Sequence, residues 1–187
     1  MAFFSKLAII AVVGALAACK QEPSKLDPIM HRVENTRIAL DGEWDEPAWN
    51  ARSQRGVFLA DSGTEARPYS EIRLLRDETH LFIGFYAADE DIKSDDAFDL
   101  SAGTFAMHVT AAGRVTPGTA RAAVDRDGSL DDAHDDDEEW VIESAVPLAA
   151  LGVSPVTIHA SRCDVTKDGV KHCGSWQGLV DLQTLAR

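Results

Sequence analysis

From Asp125 to Glu139 nine of fifteen residues are Asp or Glu. Hard oxygen ligands at this density make calcium the first chemistry to consider. Asp125, Asp127, Asp131 and Asp132 are the candidate ligands, because an ion there would relieve the self-repulsion of the loop. The EF-hand pattern fails, since Gly128 falls at the fourth place from Asp125. A solvated acidic loop is the competing reading. Asp89, Glu90, Asp91, Asp95 and Asp96 form a second acidic cluster open to the same two readings. Catalysis finds little support: the chain has no G-x-S-x-G elbow, no H-E-x-x-H and no phosphate-binding glycine loop. Carboxylates are so abundant that a pair at glycosidase spacing would be uninformative. The six histidines, His31, His80, His108, His134, His159 and His172, are scattered singly. No enzyme activity is expected.

The three cysteines divide into one and two. Leu16-Ala17-Ala18-Cys19 follows a weakly basic start and the apolar run Leu7 to Ala15, which is too short to span a bilayer comfortably. That is the pattern of a bacterial lipoprotein signal, with cleavage before Cys19 and lipid on its thiol. Two or three acyl chains give stable anchoring. Lys20 is not the aspartate that retains lipoproteins in the inner membrane of enteric bacteria, so the outer membrane is the expected address. Cys163 and Cys173 then remain in an oxidising setting, where a disulfide is the default. Counting outward from Lys167-Asp168-Gly169, a three-residue loop with Gly169 left-handed, sets the two cysteines opposite each other as a non-hydrogen-bonded pair. Such a bridge contributes roughly 2 to 3 kcal/mol on the chain-entropy model. A metal site using His172 and Cys173 is the weaker alternative, with no C-x-x-C to support it.

The elements that must position these groups read as strands and turns. Residues 1–18 are the leader, 19–28 the lipidated cysteine and a polar tether, and 29–187 one domain of ordinary size. Asp and Glu total 31 against 18 Lys and Arg, a formal net charge of −13 that loss of Lys6 with the leader makes more negative. Nucleic acid and anionic lipid surfaces are poor partners for such a body. Tyr69 to Arg76 alternates, as a half-buried strand does, while Leu81 to Tyr86 is apolar on both faces, as a central strand covered on both sides would be. Further strands are predicted at 30–40, 57–60, 98–100, 104–110, 120–124, 139–146 and 156–163, with helical turns at 46–51 and 147–151. The fold class is all-β, an antiparallel β-sandwich of jelly-roll-like kind with short helical turns.

Two phrases bracket the domain: Leu40-Asp41-Gly42-Glu43-Trp44-Asp45-Glu46-Pro47-Ala48-Trp49 near its start, and Trp140-Val141-Ile142-Glu143-Ser144-Ala145-Val146-Pro147-Leu148 a hundred residues on. With the hairpin Asp77-Glu78-Thr79-His80-Leu81-Phe82-Ile83-Gly84-Phe85 between them, the chain resembles a family-9 type carbohydrate-binding module. The resemblance implies a β-sandwich that binds a glycan without catalysis, often in polysaccharide use, and it raises the prospect of structural calcium. Trp140 shares a strand face with Ile142 and is expected in the core. Trp49 is expected to plug one end of the sandwich, and Glu143 to be exposed or paired with an arginine.

The remaining aromatics are the sugar-platform candidates, because the C–H face of a pyranose packs on flat rings while its hydroxyls seek amides and carboxylates. Trp176 comes first, flanked by small residues and by Gln177, with simple edge-strand packing as its alternative; Trp44 is the second, with an ordinary rim residue of the turn as its alternative. The modules it resembles clasp a sugar ring between two tryptophans, and no equally convincing partner for Trp176 is visible. The alternative function is therefore a structural or protein-interaction envelope lipoprotein that has lost the sugar site. A related sandwich superfamily binds haem, but Met107 and His108 are neighbours on one strand and point to opposite faces. With no C-x-x-C-H, no haem is expected; Met107 would need another ligand, such as Met30.

Overall fold

The computed structural model describes residues 31–33, 36–51 and 53–183. The leader, Cys19, the tether and Met30 lie outside the described residues. In chain order the elements are β1 (His31–Val33), β2 (Thr36–Ile38), α1 (Pro47–Ala51), β3 (Gln54–Val57), β4 (Ser70–Arg76), β5 (His80–Ala88) and β6 (Ala97–Ala102). There follow β7 (Phe105–Thr110), β8 (Val115–Thr116), β9 (Arg121–Asp127), β10 (Glu139–Pro147), α2 (Leu148–Leu151), β11 (Val156–Val165) and β12 (Lys171–Val180). Two antiparallel sheets face each other: sheet one in the order β3-β4-β5-β10-β9, sheet two in the order β12-β11-β6-β7-β8. The predicted all-β sandwich is thus observed. The strand expected over 30–40 is instead a short hairpin of β1 with β2, and the strand expected at 57–60 lies earlier, at β3.

Period-two alternation builds the core between the sheets. Leu74, Ile83, Phe85, Trp140 and Ile142 of sheet one meet Phe98, Leu100, Met107 and Ile158 of sheet two, all buried. Phe98 is the hub: it stacks on Phe85 with centroids 4.4 Å apart and leans on Trp140 at 5.1 Å. Trp140 is fully buried, as its strand pattern predicts, and its Nε1 donates to Asp89 Oδ2 at 3.0 Å.

The outer face of sheet one carries a second apolar cluster, which explains why β5 is apolar on both sides. Leu75, Phe82 and Ala145 stand side by side across β4, β5 and β10, and Ile38, Leu40, Ala48 and Trp49 cover them. Trp49 therefore roofs a sheet rather than plugging an end. What fixes it there is Glu143, which is fully buried and not exposed as its place in the strand suggested. Its Oε1 accepts from Trp49 Nε1 at 2.6 Å, and its Oε2 accepts from the backbone N–H groups of Asp41 and Gly42, each at 3.1 Å. Gly42 has φ 95° and lies so close to β9 that a Cβ would stand 2.4 Å from Asp125 N. Only glycine fits that turn. The two bracketing phrases are thus the two halves of one latch.

The hairpin of β11 and β12 follows the predicted register. Cys163 pairs with Cys173 and the two form a disulfide with Cα atoms 4.1 Å apart, while Gly169 takes φ 78° in the turn.

Candidate functional site

The outer face of sheet two, which carries no second apolar cluster among the described residues, forms a hollow of about 550 Å3. Outward side chains fall in two rows across the strands. Ser175, Ser161, Asp99 and His108 are successive register partners on β12, β11, β6 and β7, and Gln177, His159 and Ser101 make the row beside them. All seven are exposed. His108 Nδ1 lies 2.8 Å from Asp99 Oδ1, which fixes the imidazole beside the carboxylate. Hydroxyls, an amide, imidazoles and a carboxylate on one rigid sheet suit a polyhydroxylated ligand held by hydrogen bonds.

The three predicted ligand residues separate. Gln177 reaches into this hollow from β12. Trp176 borders it through its strand, but its indole turns to the opposite face and wedges between the sheets. Its ring fills the space where side chains of Gly56 on β3 and Gly178 on β12 would stand, with Nε1 2.0 Å from a Cβ built on Gly56. Trp176 is therefore half-buried packing at the sandwich edge, and no ring faces it across a sugar-sized gap. Trp44 lies on the other side of the molecule, across Gly84 on the outer face of sheet one, stacked with Trp49 at 5.9 Å. Asp99, His108 and Ser161 were not read from sequence as sugar contacts, although the alternation Phe98-Asp99-Leu100-Ser101 marks Asp99 as outward.

The acidic tract is used to order loops. Asp131 Oδ1 accepts from Ser94 N at 3.0 Å, Asp132 Oδ1 accepts from His134 N at 3.0 Å, and Asp125 and Asp127 are exposed on β9. The nearby buried Asp137 binds Ile92 N and Ser129 N. No three of Asp125, Asp127, Asp131 and Asp132 bring their carboxylate oxygens within 4.8 Å of one another. Among the described residues the carboxylates close enough to share an ion are Asp89, Asp96 and Asp164, all buried. Arg162 already stands among them, its Nη2 2.7 Å from Asp89 Oδ2 and 3.2 Å from Asp164 Oδ1. One guanidinium does not balance three carboxylates. Burial first, and then the charges of Asp89 and Asp164, push Asp96 up to about 7, against its bond from Lys93 N. Burial and Asp89 also raise Asp164, against the pull of Arg162. Met107 is buried while its neighbour His108 is exposed, on opposite faces of β7.

No protein-family profile matches the sequence, and no curated protein is significantly similar to it. Solved structures do match. A family 9 carbohydrate-binding module (CBM9) from Caldicellulosiruptor kristjanssonii in complex with cellotriose superposes with a TM-score of 0.54 at 11% identity, covering 74% of this chain and 78% of that one. A structure of a CBM9 from the same organism in complex with glucose gives 0.51 at 13% identity, covering 73% and 80%. At that identity the likeness establishes architecture, and the architecture of this chain is that of the family-9 carbohydrate-binding modules.

Proposed function

We propose that this protein is a non-catalytic carbohydrate-binding lipoprotein of the bacterial envelope, anchored through Cys19, that holds a glycan against the outer face of sheet two. The observation that carries the reading is the open hollow itself, with Asp99, His108, Ser161, Ser175 and Gln177 presented together on rigid strands. The sugar-bound structures with the same architecture support it. A second reading, a protein-interaction lipoprotein without a sugar site, is favoured by the inward turn of Trp176, which leaves the hollow without a stacking platform.

A glycan-array screen of the mature chain, followed by calorimetry, separates the two. Neutral-glycan binding is expected, and Asp99→Asn is expected to weaken it by about tenfold to a hundredfold, the value of a charge-assisted hydrogen bond. Folded protein that binds no glycan would move the assignment to the interaction reading. Anchoring has its own check. Cys19→Ser is expected to shift the protein from the outer-membrane fraction to the soluble periplasmic fraction; retention in the membrane fraction would refute lipid anchoring at this residue.

A further inference from the structure

The outer face of sheet one holds a second hollow, of about 500 Å3, which the reading above leaves unused. Tyr69 and Tyr86 form one wall, edge to face with centroids 6.0 Å apart. Each phenol has a carboxylate beside it: Tyr69 Oη donates to Glu71 Oε2 at 2.8 Å, and Glu139 lies near Tyr86. Burial and these carboxylates push Tyr69 up to about 12 and raise Tyr86 as well, so both rings stay neutral.

The charges around this wall do not balance. Glu43, Glu71, Asp125 and Glu139 line the hollow beside a single cation, Arg73. Arg73 is held in place: its Nε is 2.6 Å from Glu71 Oε1, its Nη1 donates to Asn50 Oδ1 at 2.9 Å, and its guanidinium stacks 4.2 Å from the Trp44 ring centroid. Among the described residues no cation is paired with Glu43, Asp125 or Glu139. Aromatic edges and faces beside three uncompensated carboxylates favour a ligand that is both ring-shaped and positively charged.

We propose that this hollow is a second binding site, separate from the sheet-two face, for a protonated amino sugar, a 2-amino-2-deoxyhexose unit. The tyrosine wall takes the C–H face of the ring. Glu139 and Asp125 accept the ammonium hydrogens, and Asn50 meets ring hydroxyls. Uronic acids and sugar phosphates are repelled by the same carboxylates. A quaternary ammonium would offer those carboxylates no donor, which is why a primary amine fits better.

The test is calorimetric titration of the mature chain with the glucosamine disaccharide and its N-acetylated counterpart, at about 150 mM salt to suppress general attraction. The free amine is expected to bind at least tenfold tighter than the acetylated sugar, and to lose that advantage above about pH 9, where such an amine is neutral. Glu139→Gln combined with Asp125→Asn is expected to weaken it at least tenfold, while Asp61→Asn, an exposed carboxylate elsewhere, leaves it unchanged. Equal affinity for the two sugars, no binding of either, or an equal loss in Asp61→Asn would overturn the proposal. Should the double variant not fold, the acetylation and pH comparisons on the unaltered chain decide. Asp99→Asn leaves this binding intact, so failure here and failure of the sheet-two reading are told apart.

Discussion

Glu143→Ala is expected to destabilise the domain by about 3 to 5 kcal/mol, a large share of the total stability of a domain this size. The substitution leaves two buried donors, Trp49 Nε1 and the amide of Gly42, and the half-buried amide of Asp41 without an acceptor. Each such orphan costs about 1 to 3 kcal/mol, with some recovery as water enters. Urea unfolding followed by tryptophan fluorescence measures it; a loss below about 1 kcal/mol would show that apolar cover alone holds the segment. The pH dependence has a definite sign. Burial, and then the charge of Glu46, push Glu143 up to about 9, opposed by its three hydrogen bonds. An acid raised in the folded state contributes stability fully present below its unfolded value near 4.5 and lost as pH rises through about 9. Glu143→Gln should flatten that slope while retaining more stability than alanine.

Arg162→Met is expected to cost a comparable 3 to 5 kcal/mol near neutral pH, because it strips the one cation from a buried carboxylate trio. It also removes the hydrogen bonds that Arg162 donates to Ser70 Oγ and the carbonyl of Ala88. The loss should shrink on acidification. Asp96, raised to about 7, contributes stability that is complete below about 3.8 and declines as pH rises through 7; without the guanidinium, Asp96 and Asp164 hold protons still more tightly. Melting curves at pH 5 and pH 8 test this. A deficit equal at both values would mean that Arg162 acts through packing and not charge.

Features set by local alternation were legible in the sequence. Trp140 beside Ile142, the doubly apolar β5 and the pairing of Cys163 with Cys173 each follow from counting residues along one strand or around one turn. Glu143 was misread because the three groups that claim it lie 94 to 102 residues away, and no local pattern announces them. For Trp176 the sequence left a sugar platform and edge-strand packing both open. Its small neighbours suggest an open platform, yet Gly178, together with Gly56 on the far sheet, makes room for the ring inside the sandwich. The outward rows of sheet two were visible as alternation in Phe98 to Ser101. Which part of a sheet would be roofed depended on where residues 38–49 docked, a tertiary fact.

The latch between Trp49 and Glu143 also bears on how the protein is made. Translation delivers the chain from its amino end, so Ile38, Leu40, Trp44 and Trp49 emerge well before the strand that receives them. Until β10 arrives, that stretch has only Leu75 and Phe82 to lie on and lacks the carboxylate that latches it, so it stays exposed to any other apolar partner. Holding factors would have most to do in this interval, and a pulse of synthesis stopped before residue 139 should leave a nascent domain that is unusually sensitive to protease and prone to aggregate.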